Sequence, residues 1–199
     1  MILSYLKAKH WQLFLITFGI PMLFQFVIFG LMISNLTFHS NQDPSIVFKY
    51  LKLFPVIMIV FMLVFYGWFW SVGIGLQKKV PENISLNVKI FKVLFFISLI
   101  YMTLFMVFLS FFMNGIFSSY SSQIFEVIGG LFAVILPLHL FSMFCIIYSL
   151  YFVAKTYKTV ELQREVKFEE FIGEFFLIWF YPIGIWILQP KINKIADEF

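Results

Sequence analysis

Four runs without a charged side chain, 11–34, 53–76, 93–113 and 127–153, set the terms for any fold this chain can adopt. Each reaches the roughly 20 residues that an α-helix needs to cross a hydrocarbon core. In lipid, a helix satisfies its backbone N–H and C=O groups within one segment. The expected class is therefore all-α: a polytopic integral membrane protein with four transmembrane helices. Composition agrees, since 62% of the residues are hydrophobic and 12% charged, with a mean hydropathy of +0.96. A soluble domain is about 45–50% apolar and about 25% charged. Within 199 residues these runs leave no room for a separate soluble unit, so residues 1–199 read as one membrane domain. The thirty phenylalanines read as lipid-facing and packing filler.

The first run follows Lys7, Lys9 and His10. It is longer than the apolar part of a signal peptide, about 7–15 residues, and has no small-residue cleavage site, so a retained first helix is expected. Pro21 lacks an N–H and its ring crowds the carbonyl of Thr17, which predicts a kink. Gln25, one turn further, needs a polar partner, and a hydrogen bond to another helix is the plain reading. The only cysteine, Cys145, lies inside the fourth run, so no intrachain disulfide can form.

Gly67, Ser71 and Gly75 recur every four residues at the end of the second run. That spacing puts three small side chains on one helix face, a candidate packing face for a helix of this chain or of a second copy. His139 lies near the centre of the fourth run, two residues after Pro137, with Ser142 one turn along. An ionisable group at mid-bilayer is a functional hypothesis by default. A histidine that only satisfies local hydrogen bonds is the plain alternative. Gln25, His139 and Ser142 thus form the candidate intramembrane polar site.

Beyond Val153 the apolar period continues through Tyr157, Val160, Phe168, Phe171 and Phe175, interrupted by Arg164. The opposite face gathers Lys155, Lys158, Glu161, Glu165 and Glu169. This predicts an amphipathic cytosolic helix over 154–174, with pairs such as Lys158–Glu161 and Glu161–Arg164. Tyr157, Val160, Arg164, Phe168 and Phe171 are its candidate partner or membrane-surface face. The next apolar stretch, within 171–188, holds Pro182 and Gly184, and its charge-free part is short for a span. A re-entrant or interfacial hairpin is expected there, with a fifth span as the alternative.

Lysine and arginine fix the expected orientation. The first segment, the 77–92 loop and the 154–170 region hold all of them except Lys49, Lys52, Lys191 and Lys194. The positive-inside rule then puts the N-terminus in the cytoplasm, and short loops in a small protein suit a bacterial inner (plasma) membrane. The four lysines at 78, 79, 89 and 92 fit attraction to anionic headgroups and give no nucleic-acid signature.

No catalytic, cofactor or metal motif is present. His10, His39 and His139 lie in separate regions, and neither a Walker nor a GxSxG pattern occurs. Glu169 and Glu170 resemble the glutamate pair of some intramembrane proteases, but the resemblance ends at two residues. The expected partners are the lipid bilayer and a membrane protein or a second copy. The reading that follows is a non-catalytic accessory, assembly or scaffold subunit. The alternative is a small oligomeric transporter or channel with its polar path near Gln25, His139 and Ser142.

Overall fold

The computed structural model describes residues 2–38, 54–116 and 123–197. Much of the expected first loop, including Asp43, Lys49 and Lys52, and most of the charge-free loop around 117–122 fall outside the described residues. Four helices are long and apolar enough to cross a membrane: His10–Ser34, Phe54–Lys79, Val88–Phe111 and Phe132–Leu162. The chain is all-helical among the described residues, with further helices at its C-terminal end.

The chain opens with a short helix α1 (Ile2–Leu6), an extended Lys9, and α2 (His10–Phe14). A π-helical turn at Leu15–Gly19 then leads into α3 (Ile20–Phe38). The irregularity expected at Pro21 thus occupies the turn before it. Pro21 cannot donate back to the carbonyl of Thr17, and a widened turn is one way to absorb a missing link in the ladder. The Thr17 hydroxyl, itself buried, donates to the Leu13 carbonyl at 2.6 Å.

Helix α4 (Phe54–Gly75) has Pro55 in its first turn, where no N–H is required. A 3₁₀ turn, Leu76–Lys79, closes it. Helix α5 (Val88–Ile116) and the long α6 (Gln123–Leu162) complete the bundle. Of the four apolar helices, α4 is the most enclosed. Leu23 and Phe26 of α3, Leu104 and Phe111 of α5, and Phe132 and Leu140 of α6 are exposed, as lipid-facing side chains are.

The packed core sits toward one end of the bundle. It joins Trp68, Val72 and Leu76 of α4, Phe91 and Phe95 of α5 and Phe152, Val153 and Tyr157 of α6 to side chains from both termini. Phe91 stacks on Phe152 with ring centroids 4.4 Å apart. Gly73 makes room for that stack, because a Cβ there would lie 2.8 Å from Phe91 Cζ and 3.4 Å from Val153 Cγ2.

The amphipathic region differs from the continuous helix expected over 154–174. Residues up to Leu162 extend α6, the chain turns through Gln163 to Lys167, and a separate helix α7 (Phe168–Trp179) follows. Gln163 takes a left-handed φ of 51°, the conformation that ends many helices. Its side-chain amide donates to the carbonyls of Val160 at 2.8 Å and Lys79 at 3.1 Å, which holds the turn without a glycine. Val166 then points into the core, and the Lys167 N–H donates to the Glu170 carboxylate at 2.9 Å, starting α7.

The break expected near Pro182 falls at Phe180, between α7 and α8 (Tyr181–Asp197). Pro182 occupies the first turn of α8, where proline is tolerated. The two helices form a hairpin, crossed so closely that a Cβ on Gly184 would overlap the carbonyl oxygen of Leu177.

Candidate functional site

The structure gathers most polar chemistry at the end of the bundle where α1, the 3₁₀ turn, the end of α6 and the termini of the hairpin meet. Every lysine and arginine among the described residues lies in these segments, in the residues directly after α1 (Lys7, Lys9) or α6 (Arg164, Lys167), or at the start of α5.

Its centre is Gln189, fully buried on α8. The Gln189 amide donates to the carbonyls of Tyr5 at 3.0 Å, Leu6 at 3.3 Å and Ala8 at 2.9 Å, and its oxygen accepts from the Trp68 indole N–H at 2.7 Å. One turn on, the Asn193 amide donates to Leu6 at 2.7 Å and Ala8 at 3.0 Å. The Leu6 carbonyl ends a five-residue helix and the Ala8 carbonyl follows it, where backbone acceptors lack an intrahelical donor, while the Tyr5 carbonyl also takes the Ala8 N–H at 3.3 Å. The C-terminal hairpin therefore caps the N-terminal helix. The i, i+4 spacing of Gln189 and Asn193 on an otherwise apolar helix face was the available sequence signal.

Helix α1 lies on the small-residue face of α4. A Cβ on Gly67 would come within 2.6 Å of Tyr5 Oη, and one on Gly75 within 2.7 Å of Ile2 Cγ2 and 2.9 Å of Leu6 Cδ1. Ser71 between them is buried, its hydroxyl donating to the Gly67 carbonyl at 2.7 Å. Gly67, Ser71 and Gly75 thus receive a helix of the same chain.

An ion ladder ties α6 to the hairpin. Lys158 Nζ lies 2.8 Å from Glu161 Oε2 and 2.9 Å from Glu174 Oε1, linking α6 to α7. The Tyr157 hydroxyl donates to Glu161 Oε1 at 2.8 Å, and Lys191 of α8 approaches the same oxygen at 3.7 Å. The Lys158–Glu161 pair is the expected one. Arg164, placed after the helix break, pairs with Glu170 rather than Glu161. The Arg164 hydrogen bond, joined by the Lys167 N–H, holds the Glu170 carboxyl at about 2, and the same bond raises the Arg164 guanidinium.

The stripe residues meet a different fate from a free surface. Tyr157, Val160 and Phe171 are buried inside the chain's own core, while Arg164 and Phe168 remain exposed. Helices α7 and α8 cover that face.

Beside the ladder an open cleft of about 820 Å³ lies between the 3₁₀ turn, the 80–82 segment, α6 and α8. Lys78, Lys79, Lys191 and Lys194 line it, with Glu82 and Glu161 as its carboxylates. Lys79 Nζ donates to the Ile195 carbonyl at 2.6 Å.

The intramembrane candidates are dispersed. Gln25 is exposed on α3, and among the described residues no hydrogen bond joins it to His139 or Ser142. His139 is half-buried, with its Nδ1 3.3 Å from the Tyr101 hydroxyl, which also lies 3.4 Å from the Ile135 carbonyl. The rings of Tyr101 and Phe105 flank it at 5.9 and 5.5 Å. Ser142 is buried, and its hydroxyl has no hydrogen-bond partner among the described residues. Nor do the described residues contain a cluster of three His, Cys, Asp or Glu able to hold a metal.

Long apolar helices carrying a charged, tightly packed end define a multi-pass helical membrane protein. No family model, curated protein or solved structure matches the chain.

Proposed function

We propose that this chain is a non-catalytic component of a membrane assembly, an accessory, assembly or scaffold subunit that works through its charged end. The observation carrying this reading is the concentration of core and basic residues at that end, while the other halves of α3, α5 and α6 present apolar side chains outward. The positive-inside rule makes that end cytoplasmic, and a bacterial inner membrane is the setting we infer.

In this reading α7 and α8 are a re-entrant hairpin. Asn193 and Ile195 of α8 bond to the N-terminal segment and to Lys79, so the segment comes back to the end from which α7 departs. Its elbow goes deep: Tyr181 packs on Phe18 of the first span at 6.3 Å and on Phe65 of α4 at 5.0 Å. At about 1.5 Å rise per residue, Phe65 lies roughly 20 Å from Lys79 along α4, well inside a hydrocarbon core of about 30 Å. The outward side chains Trp179, Phe180, Ile183, Trp186 and Ile187 are exposed and apolar, which suits lipid contact.

The transporter alternative has thinner support, since Gln25 sits apart and the partner of His139 is a tyrosine rather than a carboxylate. Purification in mild detergent from the native membrane separates the two. A companion should co-elute with the wild-type chain and be lost with Glu165→Lys/Glu169→Lys, whose side chains are exposed. A chain that elutes alone and catalyses solute flux in liposomes, with flux abolished by His139→Ala at unchanged abundance, would replace the scaffold reading with the transporter.

A further inference from the structure

We propose that the cleft between the 3₁₀ turn and α8 is a binding site for a phosphate-bearing anion, with the headgroup of an anionic phospholipid as its source. The inference rests on the charged end being the working face of the protein, and it adds a ligand class to that face.

Charge comes first. Lys78, Lys191 and Lys194 reach the cleft from two separate elements, and Lys78 and Lys194 have no carboxylate within ion-pair distance among the described residues. Of the two carboxylates, Glu161 is already engaged by Lys158, the Tyr157 hydroxyl and Lys191. Among the described residues that line the cleft, four lysines stand against the two carboxylates Glu82 and Glu161, so the lining carries a surplus of positive charge. A lysine ammonium is a compact point charge with three donors, suited to phosphate oxygens.

Depth comes second. Lys78 and Lys79 directly follow the apolar length of α4, and α5 starts its own apolar run nearby at Val88. The cleft therefore lies at the level where headgroup phosphates sit. Val80, Pro81, Val160 and Ile195 give it an apolar side, which can take the glycerol and the first methylenes of a lipid. Its volume falls within the range of small-molecule sites, about 300–1,000 Å³.

Rigidity comes third. The Gln163 amide bonds the Lys79 carbonyl to the end of α6, and Lys79 Nζ bonds the end of α8. The walls are therefore fixed to one another before any ligand arrives, which limits the ordering cost of binding. The left-handed φ of Gln163, unfavourable for a residue with a Cβ, is held in place by those same bonds.

The test uses the full-length protein in detergent micelles, with bound lipid counted by native mass spectrometry. Phosphatidylglycerol and phosphatidylcholine are the probes. The cleft variant is Lys78→Gln/Lys191→Gln/Lys194→Gln. A control of equal charge change, Lys89→Gln/Lys92→Gln/Lys167→Gln, alters exposed lysines outside the cleft. Helical circular dichroism and elution volume establish that each is folded, and Lys194→Gln alone serves if the triple variant is not. Wild type should retain phosphatidylglycerol over phosphatidylcholine, and affinity should fall about fivefold per cleft lysine removed, with the control, whose lysines only add to the general attraction of headgroups, losing clearly less. Displacement by millimolar inorganic phosphate would assign the site to phosphate anions in general, and displacement only by short-chain phosphatidylglycerol would assign it to lipid. Equal losses in the cleft and control variants, or no preference in wild type, would overturn the site. Such a failure with companion co-elution intact would sink this inference and leave the scaffold reading standing.

Discussion

Gln189→Leu is the sharpest perturbation the structure offers. Leucine nearly conserves the side-chain volume, so the loss is hydrogen bonding rather than a cavity. The carbonyls of Leu6 and Ala8 keep Asn193 as a donor and that of Tyr5 keeps the Ala8 N–H at 3.3 Å, whereas the Trp68 indole N–H loses the Gln189 oxygen to which it donated. At about 1–3 kcal/mol for one orphaned buried group, the variant should be less stable by about 1–3 kcal/mol. The damage should be local first, because α1 is too short to persist alone. Leu6 is buried on the wild-type chain, so a maleimide should fail to label Leu6→Cys in a Cys145→Ser background. Adding Gln189→Leu should expose it and lower the thermal midpoint in detergent. Trp68→Phe combined with Gln189→Leu should cost less than the sum of the two, since both break one bond. An unchanged midpoint with Leu6→Cys still protected would refute the claim that the hairpin caps the N-terminal helix.

Other positions are expected to separate as clearly. Gly184→Ala should reduce abundance and stability severely, because its Cβ meets the backbone oxygen of Leu177, while Gly173→Ala, with nothing within 4 Å, should fold like wild type by size exclusion. His139→Ala should lower folded yield modestly through loss of the Tyr101 contact; a normal yield with loss of a transport activity would favour the transporter. Glu170, held at about 2 against an ordinary 4.5, contributes its full stabilisation above pH 4.5 and loses it as pH falls toward 2. Glu170→Gln should therefore flatten the stability profile in that acid window, read as the thermal midpoint against pH, and leave its slope near pH 7 unchanged.

The four spans were legible because they depend on one property, the length of apolar sequence, which lipid reads directly. The small face of Gly67, Ser71 and Gly75 was legible for the same reason of simple period. Its occupant was not: Ile2–Leu6 precedes two lysines and looks like a flank, and only the distant Gln189 and Asn193 hold it in place. The helix break after Leu162 was also hidden. The apolar period runs straight through it, and the turn is made by a glutamine where a glycine would have announced it. Of the stripe, Tyr157, Val160 and Phe171 are buried within the chain while Arg164 and Phe168 stay exposed, a division that periodicity does not report because it is silent on whether the same chain covers an apolar face. The lysine cleft joins residues more than 110 positions apart, such as Lys79 and Ile195, and no local pattern can bring them together.

Reporter fusions at the two termini test the central claim most directly. One reporter placed before Met1 and another after Phe199, each active on one side of the membrane only, should both report the cytoplasmic side. Four crossings and a hairpin that returns require the two ends to share a side. Reporters active on opposite sides would establish a fifth crossing and break the single charged end on which the proposed function rests.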